Sequence, residues 1–204
     1  MTALRRRSVL ARTGLLAPLA ALSLAGCGLN SVPTAEEQVN AAWGNVQSEY
    51  QRRADLIPNL VRTVERYADQ EREVLTEVTN ARARASSIQL NAEDLDDPAR
   101  VRQFNEAQTQ LGSSLGRLLA TFEAYPDLKS NQNFLTLQSQ LEGTENSILV
   151  SRRDYNETVR QYNTTIRTFP DAIGAKVFYG AKPKVPFEAA AGSQTAPTVD
   201  FNAS

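Results

Sequence analysis

The chain has 204 residues, with 22 Lys and Arg against 23 Asp and Glu, no histidine and one cysteine. That length suits one domain with a core of its own. The missing histidine excludes a Ser-His-Asp triad and a histidine metal site, and the single thiol excludes a disulfide framework.

In chain order, Arg5, Arg6, Arg7 and Arg12 form a positive leader ahead of an apolar run at 14–25 that ends in small residues, the pattern of a secretory signal peptide. Leu24-Ala25-Gly26-Cys27 follows and resembles the lipobox of bacterial lipoproteins, in which the chain is cut before the cysteine and the cysteine is acylated. The expectation is a signal peptide at 1–26 and a lipidated Cys27 with a short linker to residue 33. At ~0.8 kcal/mol per buried methylene, more than one acyl chain holds a protein stably on its bilayer. Arg6-Arg7-Ser8-Val9-Leu10 also resembles a loose twin-arginine signal, with Val9 where an aromatic is usual, so the export route stays open. The alternative anchor is an uncleaved single-pass helix at the N-terminus. The uncharged stretch 13–35 contains Pro18, Asn30 and Pro33, which leave its apolar part short of the ~20 residues needed to span.

Removing 1–26 takes four arginines and no acid, leaving 18 Lys and Arg against 23 Asp and Glu, a formal charge of −5. Nucleic acid is not an expected partner, because phosphate binding needs a cationic surplus.

Thr34 and Glu37 have the spacing of a capping box, with Pro33 outside it, which predicts a helix opening there. From Val39 an apolar stripe in steps of four and three continues through Trp43, Val46, Tyr50, Ile57, Leu60, Val64, Tyr67, Val74, Val78, Ala81 and Ala85 to Ile88, interrupted by Arg53 and Glu71. The stripe keeps its phase across Pro58, which predicts one long helix kinked there, with two helices broken at Pro58 as the alternative. A polar, acidic loop at 90–97 ends in Asp97-Pro98, an N-cap followed by proline at the first helical position. Val101, Phe104, Leu111, Leu115, Leu118, Phe122 and Tyr125 mark the next helix, which Tyr125-Pro126 stops. A third helix runs from Asn131 with Phe134, Leu137, Leu141, Ile148, Tyr155, Val159, Tyr162, Ile166 and Phe169 inward, ending at Phe169-Pro170. Long amphipathic helices with short loops predict an all-α antiparallel bundle of three long helices, or four if the first is broken at Pro58.

After the bundle, 176–187 interleaves Val177, Phe178, Tyr179, Val185 and Phe187 with Gly180, Pro183 and Pro186, which predicts an extended strap against one end of the bundle. The Ala, Gly, Ser, Thr and Pro of 188–204 predict a flexible tail.

Several blocks resemble the LemA family: Asn40-Ala41-Ala42-Trp43, Arg53-Ala54-Asp55-Leu56-Ile57-Pro58-Asn59-Leu60-Val61 and Ala81-Arg82-Ala83-Arg84-Ala85 in the first half. Glu123-Ala124-Tyr125-Pro126-Asp127-Leu128-Lys129, Thr144-Glu145-Asn146 and the repeated Tyr155-Asn156 and Tyr162-Asn163 carry it in the second. The resemblance covers 34–187. It implies a helical bundle attached to a bacterial membrane at its N-terminus, with no established biochemical activity. Members often carry a short N-terminal membrane helix, where this chain has a lipobox.

No phosphate loop or dinucleotide fingerprint is present, so no catalytic residue, metal or cofactor is assigned. Asp94, Asp96 and Asp97 cluster beside a helix start and are expected to be a solvated cap. Arg53 and Glu71 are eighteen residues apart and cannot pair along one helix, so each needs a partner on another helix or water. Candidate contacts for a partner or ligand are Arg53, Asp55 and Asn59 near the kink, and Tyr125 and Asp127 in the turn, where the structural alternative has Asn59 satisfying freed backbone and Asp127 bonding backbone. Asn156-Glu157-Thr158 and Asn163-Thr164-Thr165 match the glycosylation pattern but lie mid-helix behind a bacterial lipobox and are not expected to be modified. Arg152, Arg153, Arg160 and Arg167 make a basic strip expected to face solvent or to pair with acids such as Glu65 and Glu73. The expected role is an envelope interaction module on the extracytoplasmic side, held by the membrane and bound to another envelope protein. The alternative is a binding protein for a small ligand or envelope polymer at the kink or bundle end.

Overall fold

A computed structural model describes residues 30–67 and 71–188 of the chain. Cys27, the signal peptide and residues 189–204 of the expected tail lie outside the described residues. The described elements are helical: α1 (Ser31–Glu65), α2 (Arg72–Ser87), a 3-10 turn at Ala92–Asp96, α3 (Pro98–Phe122), α4 (Pro126–Lys129), α5 (Gln132–Thr165), α6 (Asp171–Gly174) and a π-turn at Ala175–Tyr179. No helix among the described residues is long and apolar enough to cross a membrane.

The all-α antiparallel bundle is as expected, but its divisions differ. α1 passes unbroken through Pro58, as the continuous stripe requires, and then ends at Glu65. α2 returns antiparallel, so Arg82 meets Ala54 and Trp43 Nε1 donates to the Leu90 carbonyl at 3.1 Å. The bundle therefore has four long helices, divided at 66–71 and not at Pro58. Two helices with the same period can share a phase across a hairpin by chance of spacing, and 66–71 contains neither glycine nor proline to mark the turn. Glu71, the second break in the stripe, directly precedes α2.

The start of α1 also differs from expectation. The helix opens at Ser31, three residues before Thr34, whose hydroxyl donates back to the Asn30 carbonyl at 2.6 Å and caps no N–H. The starts of α3 and α5 follow the sequence. Asp97 Oδ1 accepts from the N–H groups of Ala99 and Arg100, and Asn131 Oδ1 accepts from Asn133 and Phe134, each a cap of about 1 kcal/mol.

At 35 and 34 residues, α1 and α5 are each about 50 Å long and run antiparallel along their length. Ser31 meets Asp171 at one end, and Tyr67 meets Asn131 at the other. α2 and α3 cover the second half of α1, packing Ile57, Leu60 and Val64 with Val78, Ala81, Leu111, Leu118 and Phe122. The first half of α1 and the second half of α5 outrun those shorter helices. There the 3-10 turn and residues 181–188 complete the core, joining Leu95 and Phe187 to Trp43, Phe104, Tyr155 and Tyr162. Leu90 and Leu95, in the segment expected as a polar loop, are fully buried for this reason.

Of the expected strap at 176–187, residues 181–187 are extended, with Val185 and Phe187 turned inward. The expectation fails for Val177, Phe178 and Tyr179, which lie in the π-turn with exposed side chains, and Phe169 is likewise exposed, beyond the end of α5.

Candidate functional site

Between the two halves of the core lies a polar layer. Arg53 is 3% exposed, and its guanidinium donates to Glu145 Oε1 at 2.9 Å, to the Gln108 carbonyl at 3.1 Å and to Gln108 Oε1 at 2.6 Å. Gln108 Nε2 reaches the Ala85 carbonyl at 3.4 Å, so one connected set of bonds touches all four long helices. The guanidinium also sits 5.1 Å from the centre of the Tyr50 ring. A buried cation that must find its acceptors on two other helices, one of which is bonded in turn to α2, fixes how those helices slide against one another. Its Nε is left without a partner.

Beside this layer a cleft of about 770 Å³ opens between α1, α2 and α3. Gln47, Gln51, Asp55 and Asn59 form its α1 wall and Ser86 and Gln89 the opposite one, over a floor that includes Tyr50, Phe104 and Leu111. Asp55 is exposed and accepts from Gln51 at 2.8 Å; Asn59 accepts from Arg62 at 2.6 Å. The structure thus places Arg53, Asp55 and Asn59 together, with Arg53 beneath the wall rather than in it.

Pro58 has no N–H, so the carbonyl of Ala54 loses its helical donor. The residue that replaces it is Arg82 of α2, whose Nε donates to the Ala54 oxygen at 2.7 Å. The expectation that Asn59 fills this role is corrected, since its side chain bonds Arg62 instead. Two of the sequence blocks, the one around Pro58 and the one around Arg82, are therefore two halves of one structural device.

Tyr125 and Asp127 lie at the far end of the bundle from the 3-10 turn and strap. Tyr125 packs on Phe122 with ring centres 5.6 Å apart and donates to Glu71 Oε1 at 3.1 Å, which gives Glu71 its partner in the turn between α3 and α4. Burial and the Glu71 carboxylate both raise the Tyr125 pKa. The expected backbone bond from the Asp127 side chain does not form. Its carbonyl accepts from Ser130 Oγ at 3.0 Å, and its carboxylate takes part in none of the hydrogen bonds among the described residues.

The aspartate cluster is absorbed by local structure. Asp94 caps the 3-10 turn and pairs with Arg100, Asp96 pairs with Lys182, and Asp97 caps α3. Among the described residues no three His, Cys, Asp or Glu side chains gather as a metal site requires.

The sequence model of the LemA family matches residues 42–201. The chain belongs to the LemA family. Among curated proteins it is 27% identical over 140 residues to Protein LemA of Metamycoplasma hominis, a match covering 69% of this chain and 60% of that protein. It is 26% identical over 157 residues to Magnetosome protein MamQ 2 of Paramagnetospirillum magneticum, covering 69% of this chain and 58% of that one. Magnetosome protein MamQ of Magnetospirillum gryphiswaldense is 25% identical over the same length, with the same coverage. The chain thus spans about three-fifths of the length of the curated relatives it matches.

Within this LemA family chain the repeated Tyr-Asn pair of α5 has a role that the sequence reading missed. Asn163 Nδ2 donates to the Lys184 carbonyl at 2.8 Å, and its Oδ1 accepts from the Lys184 N–H at 2.9 Å. One heptad earlier, Asn156 holds the carbonyl and N–H of Phe187 in the same way, at 3.0 and 2.8 Å. A primary amide offers a donor and an acceptor side by side, so it satisfies both groups of an extended residue as a neighbouring strand would. The strap gains a ladder without a sheet. Tyr155 adds its hydroxyl to the Val185 carbonyl at 3.0 Å, and on the other side the Val185 N–H meets the Leu95 carbonyl at 2.8 Å. Burial pushes the Tyr155 pKa up, and burial followed by the charges of Glu36 and Asp96 pushes Tyr162 up to about 12.

The basic strip of α5 does not pair with Glu65, the last residue of α1, or Glu73, in the first turn of α2, which lie at the other end of the bundle. Arg152 lies over the Phe187 ring at 4.7 Å and donates to the Glu188 carbonyl, Arg153 pairs with Asp154, and Arg160 pairs with Glu157, whose pKa it lowers.

Proposed function

We propose that this LemA family chain is a membrane-anchored, non-catalytic interaction module of the bacterial envelope. Anchored through Cys27 on the extracytoplasmic side, it offers the face of the bundle at α1, α2 and α3 to another envelope protein. The observation that supports this reading is the cleft beside the Arg53 layer. Its walls carry amides and hydroxyls with one exposed carboxylate, Asp55, and one exposed guanidinium, Arg52, a set suited to hydrogen-bonding an extended surface and lacking a nucleophile paired with a base. Arg53, the buried cation beneath the cleft, is occupied in holding helices together.

A second reading has its own support. About 770 Å³ falls within the range of small-ligand sites, which favours a polar ligand or envelope polymer bound at Asp55 and Asn59. One experiment separates the two. A photoreactive residue at Gln51, introduced into the full chain in native membranes, should give one recurring protein adduct if the cleft is a docking face. Adducts that are absent with native membranes and replaced by protection from small soluble extracts would favour the ligand reading. Metal-dependent turnover of an envelope substrate would overturn both.

A further inference from the structure

The apolar side chains left exposed beyond α5 gather in one short segment. Phe169 is 77% exposed, Ile173 56%, and Val177 and Phe178 68% each. Core packing does not explain them, and four such side chains within ten residues form a patch that a soluble surface does not normally carry.

Their place in the fold says what covers them. Ser31, the first residue of α1, donates to Asp171 Oδ1 at 2.6 Å, and Asp171 opens α6, which holds Ile173 and leads directly into the π-turn with Val177 and Phe178. Cys27 precedes Ser31 by four residues, a reach of at most about 14 Å. Whatever holds Cys27 is therefore next to this patch. The charge agrees: 166–184 contains Arg167, Lys176, Lys182 and Lys184 with Asp171 as its one acid, in a mature chain that is acidic as a whole. Lys184 is turned inward against the Ala92 carbonyl and Glu36, and Lys182 pairs with Asp96, which leaves Arg167 and Lys176 exposed beside the apolar side chains. Aromatic and aliphatic side chains flanked by cations suit the interfacial layer of an anionic bilayer.

We propose that Phe169, Ile173, Val177 and Phe178 form a collar that inserts into the interfacial layer of the bilayer, so that the bundle stands on the membrane by the α6 end. The proposal rests on the anchored reading above. The collar fixes the orientation that a flexible lipid tether alone would leave free, turning the cleft between α1, α2 and α3 to the side and the Tyr125 turn away from the membrane.

The test uses the full, acylated chain reconstituted in vesicles of phosphatidylcholine and phosphatidylglycerol. Acylation consumes the one native thiol, so Ile173→Cys or Phe178→Cys supplies the only site for an environment-sensitive dye. Leu149→Cys, at an exposed position about 24 Å back along α5 from Thr165, is the control. Dyes at 173 and 178 should shift to the blue and be quenched by nitroxide-labelled lipid, while the dye at 149 should stay in water. If 173 and 178 are as open to an aqueous quencher as 149 while the protein stays on the vesicles through an alkaline wash, the collar is overturned, and a protein partner becomes its occupant. Protein that washes off overturns the anchored reading itself, and the collar with it.

Discussion

The bond from Arg82 to the Ala54 carbonyl makes Pro58 and Arg82 energetically dependent on each other. Arg82→Ala removes a charged donor from a nearly buried acceptor, a loss of about 2 kcal/mol by the usual worth of such bonds. Pro58→Ala restores the N–H that the Ala54 carbonyl lacks and relieves part of a proline penalty of ~3 kcal/mol, so it should stabilise the bundle and keep α1 continuous. In that background the carbonyl has its helical donor again, and Arg82→Ala should cost only ~1 kcal/mol. The coupling is then ~1 kcal/mol, within the range found for residues sharing a bond network. Urea unfolding of the four proteins, followed by far-ultraviolet circular dichroism, measures it. Equal costs of Arg82→Ala in the two backgrounds, within ~0.5 kcal/mol, would refute the idea that Arg82 stands in for the missing proline donor.

Three further predictions concern the same bundle. Asn163→Ala or Asn156→Ala removes two strap bonds and should cost ~2 kcal/mol, while the double variant should cost less than the sum because the strap leaves as a unit; Trp43, the sole tryptophan and 5.9 Å from Phe187 between ring centres, reports the change in its fluorescence. Tyr162 is held neutral to about pH 12 in the fold, whereas an unfolded tyrosine ionises near 10. Its contribution to stability is complete below about pH 10 and falls by ~1.4 kcal/mol per pH unit as pH rises toward 12, a slope that Tyr162→Phe should reduce by that amount in alkaline urea titrations. In the polar layer Glu145→Ala should cost under ~1 kcal/mol because Glu145 is 44% exposed, but Arg53→Ala should cost several times more, since it strips the buried oxygens of Gln108; equal costs by thermal unfolding would contradict the layer as described.

What the sequence made legible was whatever local chemistry decides. Asp97-Pro98 announced the start of α3 because a cap is built from adjacent residues, and the sequence places the start of α5 at about Asn131, which the structure shows to be its cap. The continuity of α1 through Pro58 was readable from phase, but the division between α1 and α2 was not, because each helix keeps its period and the sequence 66–71 lacks glycine and proline. Arg53 was visible as the charge that breaks an apolar stripe, while its partners, Gln108 and Glu145, depend on how helices lie side by side. The same holds for Arg82 and Pro58. Asn156 and Asn163 were present as a repeat with heptad spacing. Their neighbours Tyr155 and Tyr162 read as core, but nothing local gave the asparagines a partner, and only the returning strap supplies their bonds. The exposed π-turn was misread for the opposite reason, since apolar side chains are ordinarily evidence of burial.

The account depends on a bundle held to a membrane through Cys27. Its most direct test is metabolic labelling with a fatty-acid analogue of cells producing the full chain or its Cys27→Ser variant, followed by fractionation. The account predicts label on the membrane-bound wild type and none on Cys27→Ser, which accumulates uncleaved or released; equal labelling of both, or wild type found unlabelled in the soluble fraction, would contradict it.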